Sequence, residues 1–314
     1  MSSGLNIGSL TQNIHGGRGG AGGPSGSGAG GTGGVGEGSY FRFEKVENIF
    51  MNDQTHVKVR DWLKPADVSQ NQKAAEDRHH TGTGKWFEES REFQQWKSTS
   101  SSLLWLHGIS GCGKTILSST IVKKLRDEGE TITYFYFDTT NDQKRRLEDL
   151  LCTLISRLAD SASHASLVLE NAWKSHANGA EAPSNQTLLE ILLKILSGFA
   201  TAVFILCDAL DESSEVGLVL KGISKIVDAK ITNVHIFLTS RTEVTHGREL
   251  FHLATAVWLK GTRVNKDIAS YVDHILTTQR DFSWSEEINH NVRNSLVNQP
   301  DPMSVQVIPS DPPH

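Results

Sequence analysis

Three cysteines in 314 residues are too few for a disulfide framework. Cys112, Cys152 and Cys207 also lack metal-ligand spacing, so they read as reduced thiols of a cytoplasmic protein. Long apolar runs are missing: the longest, residues 199–207, is too short to cross a bilayer. The opening MSSGLNIGSLTQNIHGG has no apolar centre, so no secretory signal is expected. Positive charge is not in excess either. With 31 Lys and Arg against 36 Asp and Glu the net charge is −5, which gives no reason to expect a nucleic-acid partner. Proline is scarce, and five of the eight fall within residues 298–314, where no helical period runs. Residues 281–314 are therefore expected to be a disordered tail.

Glycine is abundant by contrast, and sixteen of the 28 lie within residues 1–38, with almost no large apolar side chain among them. Such a stretch cannot bury enough surface to offset its chain entropy, so residues 1–39 are expected to be a disordered arm. The G-X-Y period and prolines of collagen are missing from it.

A second glycine cluster carries chemistry. Gly108, Ile109, Ser110, Gly111, Cys112, Gly113, Lys114 and Thr115 have the spacing GxxxxGK[ST] of a phosphate-binding loop. They follow the apolar residues 102–107 and precede a helical pattern at 116–125, giving strand, loop and helix in the required order. Glycines let main-chain N–H groups turn inward, and with the helix N-terminus these form a concavity suited to polyphosphate. Lys114 would reach the β- and γ-phosphates, and the Thr115 hydroxyl would ligate Mg²⁺. Oxidation of Cys112, inside the loop, would block nucleotide.

Residues 40–98 are expected to form a helical lead-in. Phe41, Phe43, Val46, Ile49 and Phe50 fit a strand or a docking segment, Pro65 begins a turn or a helix, and residues 73–79 continue as a polar helix. After Thr81-Gly-Thr-Gly84, the aromatics Trp86, Phe87, Phe93 and Trp96 read as core packing. His79 and His80 have no partner at metal spacing. Beyond the loop, strands at 131–137, 202–207, 233–239 and 254–259 alternate with apolar-periodic helices at 147–158, 188–196, 216–227 and 266–276. Lys144, Arg145 and Arg146 read as a solvated face. Alternation of this kind predicts an α/β fold with an open parallel sheet, in a nucleotide-binding domain of residues 99–280.

Ligands of such sheets bind beyond the carboxyl ends of the strands. Asp208, directly after an apolar strand, stands where a Walker-B aspartate holds Mg²⁺. Asp211 and Glu212 would orient and deprotonate an attacking water. Arg241, after the next strand, would stabilise charge on the γ-phosphate.

The phosphate loop, Asp208-Ala-Leu-Asp-Glu212 and a strand ending Leu-Thr-Ser-Arg241 together resemble the NACHT family of STAND-class signal-transduction NTPases. The lead-in TGTGKWF and FQQW, and the glycine-rich start, are similar to those of fungal members. The likeness runs from Trp62 to Leu276. It implies a P-loop NTPase three-layer sandwich with strand order 5-1-4-3-2, the extra strand lying between the phosphate-loop strand and the Walker-B strand. It further implies slow hydrolysis of ATP or GTP with Mg²⁺ held by Thr115 and Asp208. Asp211 or Glu212 would serve hydrolysis and Arg241 sensing, in a switch of fungal non-self recognition or cell death that forms a homo-oligomer on activation. Members of the family continue into helical, winged-helix and repeat regions, so a chain truncated after its nucleotide-binding core is expected. Two other readings stay open: a small-molecule phosphotransferase on the same core, and a non-catalytic nucleotide-binding scaffold.

Overall fold

Val, Phe, Ile, Leu and Cys run without interruption up to Asp208, and every residue of strand β3 (Val203–Asp208) is buried. Strand β4 (Val234–Ser240) is buried throughout as well. Successive side chains of a strand point to opposite faces, so both faces of the sheet are covered at its centre. The computed structural model describes residues 53–242, 250, 252–259, 262–278 and 286–297. All fall within one unit, Ile49–His314. The glycine arm and the proline-rich residues 298–314 lie outside the described residues.

With β1 (Ser102–His107), β2 (Thr131–Tyr136) and β5 (Thr255–Trp258), the strands form one sheet in the order β2-β3-β4-β1-β5. All four pairings are parallel. Read from the other edge this is 5-1-4-3-2, the expected order. It is a P-loop α/β sandwich. Among the described residues no helix is long and apolar enough to cross a membrane.

The lead-in is helical from its first described residue. Asp53–Leu63 forms α1, with Val59 and Leu63, one turn apart, both buried. Phe41, Phe43, Val46, Ile49 and Phe50, read as a strand or a docking segment, lie outside the described residues. Asp67 then accepts the Ser69 N–H at 3.0 Å, at the start of α2 (Ser69–Asp77). The aromatic stretch splits into α3 (Lys85–Glu88) and α4 (Arg91–Ser98), the second capped by Ser90 Oγ, which accepts the Phe93 N–H at 3.2 Å. Phe87, Phe93 and Trp96 are core residues, as expected. Trp96 donates its indole N–H to the Ile236 carbonyl of β4 at 2.8 Å. Its ring meets Phe204 at 5.3 Å and Phe237 at 5.7 Å.

Gln72 of α2 joins the lead-in to the phosphate-loop helix α5 (Lys114–Asp127). Its amide donates to the Ser119 carbonyl at 2.9 Å, and the Tyr136 hydroxyl of β2 donates to its oxygen. Helix α5 packs against β2, β3 and β4, and α6 (Leu147–Ser161) against β2. The helix α7 (Ser163–Ser175) was not legible as a period; it buries Ala165, Ser166 and Leu169. Helices α8 (Asn185–Leu196) and α9 (Val216–Asp228) stand where expected.

Two expectations need correction. Lys144 is not on a solvated face: it is buried and donates from Nζ to Asn71 Oδ1 at 2.6 Å, while Arg146 is exposed. The stretch 281–314 is not uniformly disordered, because Glu286–Val297 is a helix. It lies against the helix Thr262–Thr278, with Arg293 Nε donating to Asp273 Oδ1 at 2.7 Å.

Asp267 on that earlier helix fastens the lead-in from the other side. Its Oδ2 accepts both the Gly84 N–H at 2.8 Å and the Trp86 indole N–H at 2.9 Å. One helical face continues the contact: His274 lies 4.3 Å and Tyr271 6.1 Å from His80, ring centre to ring centre. Replacing Asp267 with Ala leaves two half-buried donors without this acceptor. A loss of about 1–3 kcal/mol in unfolding free energy is expected, measured by urea denaturation. An unchanged midpoint would show that the contact is dispensable.

Candidate functional site

The turn after β1 is tight enough that only glycine fits at its start. A Cβ on Gly108 would stand 2.5 Å from Cys112 Sγ and 3.1 Å from Leu259 Cβ. Gly111 and Gly113 take φ of 73° and 91°, the left-handed region that a side chain disfavours. Ile109 packs partly on the core and Ser110 is exposed. Lys114 opens α5 and folds back over the loop, its ammonium donating to the Gly108 and Ile109 carbonyls at 2.8 Å each. Burial pushes the Cys112 thiol above its ordinary range, against the pull of the Lys114 charge. The thiol is thus held in its less reactive form, which counts against the oxidation expectation.

Asp208 lies beneath the loop, 1 % exposed. Thr115 Oγ1 donates to its Oδ2 at 2.7 Å, so the two residues assigned to Mg²⁺ do meet. Ser118 Oγ and Thr239 Oγ1 donate to Oδ1 at 2.6 and 2.8 Å. Burial raises the pKa of the carboxyl, and the three hydroxyls oppose that rise. Thr239 also accepts the Ala209 N–H at 2.9 Å, an orientation reached with Ala209 at φ 57°.

Asp211 and Glu212 occupy different surroundings. Asp211 is committed to Arg241: Oδ1 accepts the Arg241 main-chain N–H at 2.9 Å, and Oδ2 lies 3.0 Å from the Arg241 Nε. The Arg241 side chain is otherwise exposed. Glu212 is half-buried, and its Oε2 accepts the Thr139 N–H at 3.2 Å, from the segment after β2. Its pKa is raised first by burial and then by the charges of Asp211, Asp138 and Asp208; the Thr139 N–H works against them.

Between the strand ends, His107 stacks on Trp105 at 4.9 Å and on Trp258 at 4.7 Å. Burial holds its pKa down to about 4, so the ring is neutral at pH 7. Trp105 donates its indole N–H to Ser240 Oγ at 3.0 Å, beside Arg241.

Reading residues alone missed Ser118, Thr239 and Thr139. Ser118 lies three residues beyond Thr115 on a helix, the one local sign that both could face the same group. Thr239 comes from the end of β4 and Thr139 from the segment after β2, each far in sequence from the group it meets.

Comparison with known proteins adds a family and a set of folds. The family described as Nephrocystin 3, N-terminal, matches residues 82–241, half of the chain and a span that contains Gly108–Thr115, Asp208, Asp211, Glu212 and Arg241. No curated protein matches. Solved structures similar to the chain include a DNA replication initiation factor (13 % identity, TM-score 0.41, covering 72 % of this chain and 59 % of that one). Others are AMPPCP-bound DnaA from Aquifex aeolicus (13 %, 0.39, 72 % and 60 %) and the Aeropyrum pernix ORC1 protein in complex with DNA (14 %, 0.37, 72 % and 53 %). The chain thus spans less than two thirds of the length of each.

A carboxyl whose pKa is raised in the folded protein costs stability as pH climbs from the ordinary glutamate range through the raised value. Glu212→Gln removes that cost and keeps an acceptor for Thr139. The variant is expected to match the wild type in acid and to exceed it near pH 7, in denaturant midpoints taken across pH. A variant less stable at neutral pH would contradict the assigned surroundings.

Proposed function

The chain belongs to the Nephrocystin 3, N-terminal family, and we propose that it is a nucleotide-dependent switch, binding ATP or GTP with Mg²⁺ and hydrolysing it slowly. Loss of the γ-phosphate then changes its conformation. The observation that carries this is the 2.7 Å bond from Thr115 to Asp208, placed where a glycine loop closes around Lys114.

A hydroxyl and a carboxylate offer oxygen donors only, which suits Mg²⁺, a hard cation that keeps several waters and shares phosphate oxygens. When bound, it would neutralise charge on the phosphates. The main-chain N–H groups of residues 108–115 hold the polyphosphate, with the Lys114 ammonium as counter-charge. Glu212 serves as general base: half-buried, among other carboxylates and with a raised pKa, it suits taking a proton from water. Asp211, engaged by Arg241, positions that arginine instead, and the exposed guanidinium answers the γ-phosphate.

We place the switch in the NACHT-type class, acting in fungal non-self recognition or cell death from the cytoplasm, with assembly of copies on activation. The motif combination ending at Arg241 and three unbridged cysteines support that placement. The proposed domain limits are residues 40–98 for the lead-in and 99–280 for the nucleotide-binding region.

Two variants test the proposal. Lys114→Ala is expected to abolish Mg²⁺-dependent binding of ATP and GTP, measured by calorimetry. Glu212→Gln is expected to bind as the wild type does and to release phosphate about 100-fold more slowly or worse in a single turnover. Binding that survives in Lys114→Ala would sink the assignment.

A further inference from the structure

Resting on the nucleotide-switch reading above, we propose that Ser118 is a positioning residue for the metal side of the site: with Thr239 it pins one oxygen of Asp208, so that the other stays turned to Thr115. A terminal carboxylate torsion is broad and nearly two-fold, so the chain alone does not decide which oxygen faces the loop. The hydroxyls do. Ser118 and Thr239 reach Oδ1 from two different elements, α5 and β4, at 2.6 and 2.8 Å, and Thr115 takes Oδ2 at 2.7 Å.

Ser118 shows why a hydroxyl stands there. It is 0 % exposed, one turn behind Thr115 on the same helical face. Alanine would be the better helix former at such a position, and a buried hydroxyl is stable only with a partner. That partner is Asp208. Ser119, the next residue, is equally buried but turns its hydroxyl to the Ile116 carbonyl of its own helix at 2.8 Å. The two serines therefore separate a role in the site from a role in the helix.

Groups that orient a metal's ligands without touching the metal typically carry about 10–100-fold of its affinity. The experiment uses the full chain as wild type, Ser118→Ala, Ser118→Cys, Ser118→Thr and Ser119→Ala. ATP or GTP binding is titrated with Mg²⁺ and repeated in EDTA. Ser118→Ala is expected to raise the Mg²⁺ needed for half-maximal binding about 10–100-fold, while its affinity in EDTA stays that of the wild type. Ser118→Thr restores the wild-type value. Ser118→Cys, similar in size but a poorer donor, falls between and carries the test should the alanine variant not fold. The proposal is overturned if Ser118→Ala keeps the wild-type Mg²⁺ dependence, loses affinity equally in EDTA, or is matched by Ser119→Ala. A wild type that binds neither nucleotide overturns the switch reading, and this inference with it.

Discussion

The hydrogen bonds to Asp208 bring three pieces of chain to one point: the head of α5 through Thr115, its second turn through Ser118, and the end of β4 through Thr239. A carboxylate at 1 % exposure on the most apolar strand is costly unless its oxygens are occupied. Meeting that demand sets the height of α5 over the sheet and the distance between the phosphate loop and the strand ends. The parallel order matters for the same reason. With β4 between β1 and β3, its last residues pass directly between the loop and the end of β3. Thr239 can then reach Asp208, and Ser240 can meet Trp105, from neighbouring positions.

The chain turns sharply after Asp208. Ala209 takes a left-handed conformation that a residue with a side chain adopts at some cost, and the Thr239 hydroxyl holds its N–H there. The turn separates the next two acidic side chains by environment. Asp211 faces Arg241, whereas Glu212 faces the segment after β2. Adjacent carboxyls thus differ in availability although their residue types are nearly alike.

Much of this was legible because local chemistry determined it. The phosphate loop announces itself by glycines that space and handedness require, and β3 by a short uninterrupted apolar run of the kind a fully buried strand uses. The order of the strands was an implication of family likeness, and the sheet carries it. Less legible were features decided by tertiary partners. Lys144 sits in a basic triplet that looks solvated, yet its ammonium finds Asn71, 73 residues earlier. The helix α7 buries mostly small side chains, so its period is faint. Ser118 has an ordinary helical context, and nothing near it in sequence names Asp208 as its partner, 90 residues on.

One consequence follows from Trp96. Its indole bonds to β4 and its ring touches Phe204 and Phe237, so the segment before the sheet contributes to the same core as the strands. Val59, Leu63, Phe87 and Phe93 belong to that core too. A fragment cut at residue 99 to isolate the nucleotide-binding region would uncover aromatic faces along β4 and lose the bond from Trp96 to the Ile236 carbonyl. Such a fragment would be sticky and weakened for reasons unrelated to nucleotide, whereas one beginning at or before Asp53 keeps its wall.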